Sequence, residues 1–285
     1  MKDVNDKVAA ITGAASGMGR TLVLELARRG CPLALSDIDT AGLATTASLV
    51  RAANAAVRIS TTRVDMADRA AVVAWADQAA AELGRINLVF NQAGVALSDT
   101  LEKVPQQDFE WLMVINFWGV VWGTQAFLPH LRASGDGHVV NTSSLFGLLA
   151  MPLNGCYNTS KFAVRGYTEA LRLALALGGA PVSTTCVHPG GVRAEIARSA
   201  RAARRCWGAT RRWPAPTSTR CWTSPRPNQP RCKSCGRLSA TSAGCWWGAM
   251  PGGPTSWFGC WARGTSRWWW PAPAAASAWR AAPAG

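Results

Sequence analysis

From residue 1 to about 195 the chain alternates short apolar runs of β character with longer stretches at helical spacing. That alternation admits little besides a parallel sheet with helices on both faces. Strands are expected at Val8 to Thr12, Leu33 to Asp37, Val57 to Val64, Asn87 to Asn91, His138 to Ser143 and Val182 to His188. Helices are expected between them, at about 17 to 30, 40 to 54, 67 to 84, 107 to 133 and 155 to 178. Right-handed crossovers bring the C-terminal ends of all these strands to one edge. A single α/β domain of this length buries a sizeable core.

Two motifs fall at that edge. The first is Thr12-Gly13-Ala14-Ala15-Ser16-Gly17-Met18-Gly19, between the first strand and the first helix. Glycines let the backbone approach a ligand closely, and the free N–H groups of a helix start point at an anion, so the segment reads as a phosphate cradle. The second is Tyr157 and Lys161, four residues apart and so on one helix face, with Ser144 thirteen residues upstream at a strand end. A neighbouring cation stabilises phenolate, which brings a tyrosine closer to acid/base work near neutrality. By itself the Tyr-x-x-x-Lys spacing fits a surface helix pair better; together with Ser144 and the glycine turn it indicates hydride transfer to or from a nicotinamide cofactor.

These motifs resemble the classical short-chain dehydrogenases/reductases from about Lys7 to about Ile196. The resemblance implies a Rossmann-like doubly wound sheet and a catalytic tetrad at Asn116, Ser144, Tyr157 and Lys161. It implies that Tyr157 exchanges the proton with the substrate oxygen, Ser144 holds that oxygen, Lys161 lowers the tyrosine pKa and binds ribose, and Asn116 interrupts a helix and completes a water relay. The spacing Gly13, Gly17, Gly19 is the family's own version of the glycine turn. Cofactor contacts are implied at Gly13, Ser16, Gly17, Met18, Gly19, Asp37, Asp65, Met66, Asn91, Ala93, Gly94, Tyr157, Lys161, Pro189, Gly190 and Val192. Gln92 stands where the family turn has a second asparagine, and Ala194 stands where many relatives have a threonine that bonds the carboxamide.

Asp37 lies at the end of the second strand, eighteen residues beyond Gly19. A carboxylate there accepts from ribose hydroxyls and repels a 2′-phosphate, which favours NAD over NADP. His188 reads as a strand-end residue, Cys156 as a packing residue, and Trp111, Trp118 and Trp122 as packing against the sheet or a partner subunit. A short N-terminus without an apolar signal segment points to the cytoplasm.

Beyond Glu195 the composition changes. Residues 1–195 carry sixteen Lys+Arg and sixteen Asp+Glu, whereas residues 196–285 carry fourteen Lys+Arg and no acid, so the whole net charge of +14 sits in the tail. The tail also holds eleven of fifteen tryptophans and six of nine cysteines, without sustained periodicity. It divides the chain into a catalytic body, 1–197, and a tail, 198–285, read as disordered or derived from a frameshift. Cys232 and Cys235 have no second pair and no histidine in the tail, so no metal site is expected. A basic aromatic segment also suits single-stranded nucleic acid or an anionic membrane surface, but the balanced body argues against either partner. A reading-frame shift accounts for more. Reading Trp and Cys codons one base earlier yields Leu, Val or Met, and one fixed offset turns Cys221 to Arg237 into a capped amphipathic helix, Ala243 to Pro251 into a buried strand and Trp257 to Trp261 into Val-Arg-Leu-Leu-Gly. These resemble the last helix, seventh strand and C-terminal helix of the family. The expectation is therefore an oxidoreductase acting on a small alcohol or ketone. Its alternatives are an inactive remnant that keeps only cofactor binding, and a binder acting through the tail. An intact family member would be a homo-oligomer; the tail as written removes the helices that commonly build that interface.

Overall fold

A computed structural model describes Val4, residues 6–190 and the pair Arg201–Ala202. Val192, Ala194 and the tail beyond Ala202 lie outside the described residues. Strands β1 (Ala9–Thr12), β2 (Leu33–Asp37), β3 (Ile59–Arg63), β4 (Leu88–Asn91), β6 (Gly137–Thr142) and β7 (Val182–Val187) form one sheet of order β3-β2-β1-β4-β6-β7, parallel throughout. The intervening helices are α1 (Gly17–Arg28), α2 (Thr40–Ala53), α3 (Arg69–Leu83), α4 (Gln106–Met113), α5 (Gly119–Ala133) and α6 (Gly155–Leu177). Two-residue strands β5 (Leu97–Ser98) and β8 (Arg201–Ala202) pair in parallel apart from this sheet. This is the doubly wound, Rossmann-like arrangement expected, with strand order reversing between β1 and β4.

Each face of the sheet has its own core. On one face, Ala9, Ile11, Leu33 and Leu35 pack under Val23 and Leu26 of α1 and Leu43 and Val50 of α2. On the other, Ala10, Ala34, Val89 and Val139 pack under Trp75 of α3 and Phe127 of α5, whose rings meet edge to face at 4.9 Å. Alternate residues of β1 and β2 therefore enter opposite cores, as parallel strands covered on both sides require. At the far end the cover is one-sided. On β7, Val182 and Thr184 are buried, while Ser183, Thr185 and Val187 are exposed.

The expected helix at 107–133 is interrupted. Val114–Trp118 forms one π-helical turn between α4 and α5, with Asn116 fully buried at its centre. A π turn inserts one residue into the i→i−4 ladder, so the 3.6-residue period is kept on either side and shifts between. By length and composition Gln106–Ala133 could cross a membrane, but it is a core helix, lying against α3, β4, β6 and α6.

Candidate active site

The glycine turn and the β4 turn are stitched together. Gly13 adopts a left-handed φ of 70°, and a Cβ there would come within 2.8 Å of the Ala93 Cα. The Thr12 hydroxyl accepts from the amides of Gln92 and Ala93, both at 3.0 Å. Gly19 packs its Cα against the Gly13 carbonyl, which leaves no room for a side chain. Gly17, at φ 51°, faces open space.

Three βα turns at this edge differ in how their helix starts are satisfied. Asp39 caps α2 through the Gly42 amide, and Asp68 caps α3 through the Ala70 and Ala71 amides. Ser16, at the cap position of α1, makes no side-chain capping bond. The first-turn amides of α1, at Gly17, Met18 and Gly19, thus keep the donor capacity that a pyrophosphate would use.

Asp37 accepts from the Ala15 amide at 2.9 Å through one carboxylate oxygen and from the Asp39 amide at 3.1 Å through the other. Asp65 accepts from the Ala67 amide at 2.9 Å, and the buried Met66 packs against Gly119. Asn91 turns inward: its Nδ2 donates to the Asn141 Oδ1 at 2.8 Å and the Thr124 hydroxyl at 3.1 Å. Its side chain is a strut between β4, β6 and α5. The Pro189 carbonyl accepts from the Leu145 amide at 2.9 Å, and Gly190 is exposed beside it.

Tyr157 and Lys161 occupy the first two turns of α6, and Ser144 stands two residues past the end of β6. The Ser144 side chain acts on the phenol, pulling its pKa down against the effect of burial. Ser144 Oγ also accepts from the Phe146 amide at 3.1 Å, which fixes its rotamer. The Lys161 ammonium lies 5.6 Å from the Tyr157 ring centroid and donates to the Thr142 carbonyl at 3.0 Å. Asn116 sits behind them. Its Oδ1 accepts from the Val95 amide at 2.7 Å, and its Nδ2 donates to the Val95 carbonyl at 2.9 Å and the Ser160 hydroxyl at 3.2 Å. A Cβ on Gly94 would lie 3.2 Å from Asn116 Oδ1 and 3.5 Å from Lys161 Nζ, so the β4 turn, the π turn and the lysine converge.

Burial pushes the Tyr157 phenol above its ordinary value, and Ser144 pulls the other way. Burial acts on the lysine as well, lowering it to about 8, with Cys186 nearby opposing. Desolvation thus pushes the two groups apart, the phenol up and the ammonium down, the pattern of an acid/base pair set by its environment.

The neighbouring side chains fall into place around this pair. Cys156 is buried among Leu97 and Leu112, and burial raises its thiol pKa, as suits a packing residue. His188 bonds the Ser144 carbonyl through Nδ1 at 3.0 Å. Trp111 and Trp122 pack against the cores, but Trp118 is 46% exposed and stacks on Trp122.

The family model for short chain dehydrogenases matches residues 7–205. The chain belongs to the short-chain dehydrogenase family. Among relatives in this family, SadH of Mycobacterium tuberculosis, named an oxidoreductase, is 51% identical over 200 residues, covering 70% of this chain and 72% of SadH. A short-chain dehydrogenase/reductase from Burkholderia phymatum, solved in complex with NAD, superposes with a TM-score of 0.67 at 37% identity, covering 70% of each chain. Carveol dehydrogenase from Mycobacterium avium, also solved with NAD, has a TM-score of 0.62 at 32% identity, covering 65% of this chain and 71% of that one. This short-chain dehydrogenase is accordingly an NAD(P)-dependent oxidoreductase acting on a small molecule.

Two parts of the site were outside the reach of sequence reasoning. The Thr142 carbonyl as the lysine's acceptor depends on strand register. The bond from the Thr142 hydroxyl to Gln92 Oε1, at 2.7 Å, joins residues fifty apart.

Proposed function

We propose that this chain interconverts a secondary alcohol and a ketone, with NAD as the preferred cofactor. The reading is carried by one juxtaposition: Tyr157, under the influence of Ser144, lies 5.6 Å from the ammonium of a buried Lys161, at the sheet edge that also holds the glycine turn. The open first turn of α1 and the Gly17 surface fit a pyrophosphate, and Asp37 is placed to meet adenosine ribose hydroxyls. When bound, the nicotinamide supplies or accepts the hydride.

The protein's own residues handle the proton. Ser144 holds the carbonyl or alcohol oxygen by its hydroxyl. Tyr157, kept neutral by burial, donates its proton to that oxygen as a ketone is reduced and recovers it in the reverse direction. Lys161 stabilises the phenolate that forms transiently, and its ammonium and the Asn116 amide both border Gly94, which supports a proton relay between them. Asn116, held by the Val95 backbone, keeps the π turn and the β4 turn in register.

Tyr157→Phe tests this reading. Turnover is expected to fall by about a thousandfold or more, with NAD affinity retained; unchanged turnover rules the mechanism out.

A second reading has its own support. The family match stops at residue 205, and the composition break falls beside it. On this reading, residues 198–285 are the product of a shifted frame, and the body keeps cofactor binding without efficient turnover. NAD-induced thermal stabilisation without turnover on any alcohol or ketone tested would favour it, as would resequencing of codons 190 to 240 that confirms the frame; an inserted or missing base would instead restore an ordinary family C-terminus and favour the full dehydrogenase.

A further inference from the structure

Lys161 is the charged group on which the acid/base site turns, and the described residues anchor its two ends differently. Its backbone carbonyl accepts from the Ser143 hydroxyl at 2.7 Å. Its ammonium is held by the carbonyl of Thr142 at 3.0 Å. Thr142 is the last residue of β6, where the ladder ends and the backbone is free to turn. Its side chain is held from the opposite side by Gln92, whose Oε1 accepts the Thr142 hydroxyl at 2.7 Å. Gln92 is itself fixed, because its amide donates to the Thr12 hydroxyl at 3.0 Å. A continuous chain of bonds therefore runs from the glycine turn through Gln92 and Thr142 to the Lys161 ammonium.

We propose that Gln92 is a positioning residue for Lys161: by holding Thr142 it keeps the carbonyl that anchors the lysine charge in place. This inference rests on the role given to Lys161 above. An asparagine at this position is one methylene shorter and would draw its amide back from Thr142, so the glutamine is a feature of this chain rather than of the turn it belongs to. A buried ammonium with a firm acceptor keeps its proton at higher pH than one without. Loosening Thr142 lowers the lysine's proton affinity, and placing a carboxylate at residue 92 raises it.

The test uses the full chain labelled with 13C-lysine, which contains five lysines, so that the Lys161 titration is resolved by NMR. In Gln92→Leu the midpoint is expected to fall by about half a pH unit or more, and kcat by about tenfold, with NAD affinity within about twofold of wild type. In Gln92→Glu the midpoint rises. Thr142→Val lowers it as Gln92→Leu does, and combining the two adds nothing, because both break one chain. A general packing defect would move the leucine and glutamate variants in the same direction. Midpoints that stay put, or that shift together, overturn the proposal. Should Gln92→Leu fail to fold, the sign of the shift in Gln92→Glu decides alone: a rise supports the assignment, and no rise overturns it. If Tyr157→Phe turns over normally, the catalytic reading falls, while the lysine titration still reports on Gln92.

Discussion

The Asp37 carboxylate accepts the Ala15 amide at 2.9 Å, tying the end of β2 to the middle of the glycine turn. On the proposed reading, this bond holds the acid ready for ribose hydroxyls and against a 2′-phosphate. Replacing Asp37 with Ser is expected to weaken NAD and strengthen NADP. The ratio of their dissociation constants should shift by about tenfold or more, as removal of one charged contact implies. Titration of both cofactors against the two proteins measures it. An unchanged ratio would mean that selection lies elsewhere.

Lys161 gives the fold a pH dependence opposite to that of a salt-bridged lysine. Its folded-state pKa is about 8, below the ordinary 10.5. Between those values the unfolded chain still holds a proton that the folded chain has released, so the unfolded state binds more protons and stability rises with pH. Below about 8 the lysine is charged in both states and the burial cost stands in full. Lys161→Met is expected to remove this rise, worth at most about 3 kcal/mol. Urea midpoints of both proteins at pH 7.5 and 9.5 provide the comparison; parallel behaviour would refute it.

Turnover should carry the same ionisation with its own sign. Tyr157 stays protonated through neutrality because burial raises it, so the loss of the Lys161 charge is the first change met as pH rises. Ketone reduction is expected to decline as pH passes about 8. A pH profile of kcat under saturating substrate checks this, and a flat profile to pH 10 would detach Lys161 from the rate.

Gly123 has no room for a side chain. A Cβ there would strike Asn91 Oδ1, a buried oxygen without a hydrogen-bond partner in the structure. Gly123→Ala should push the Asn91 amide off Asn141 and Thr124 and cost about 1–3 kcal/mol, read as a lower denaturant midpoint. Tolerance of the alanine would mean that the Asn91 strut has slack.

The fold was largely legible because its signals are local. The second strand is found where the sequence puts it, Leu33 to Asp37, since a bounded apolar run with a terminal aspartate leaves little latitude. The helices from 17, 40 and 155 start where glycine or cap residues place them. The π turn at Val114–Trp118 was not readable from spacing, because one inserted residue leaves the apolar period intact on both sides. At the site, the convergence of Ser144, Tyr157 and Lys161 followed from motif spacing. The direction of the Tyr157 shift did not, because burial is set by the whole core. Gln92 looked like a blemish in a turn; its partner Thr142 became visible only through the β4 to β6 register, in which Asn91 stands beside Asn141.

The one-sided cover of β7 defines a splice point. Val182 and Thr184 are already embedded, and Pro189 is tied to Leu145, so the chain is anchored as far as this turn. A C-terminal segment grafted from a relative would join after Gly190. Such a segment would have to cover the exposed side chains of Ser183, Thr185 and Val187, while the catalytic half is left as it stands.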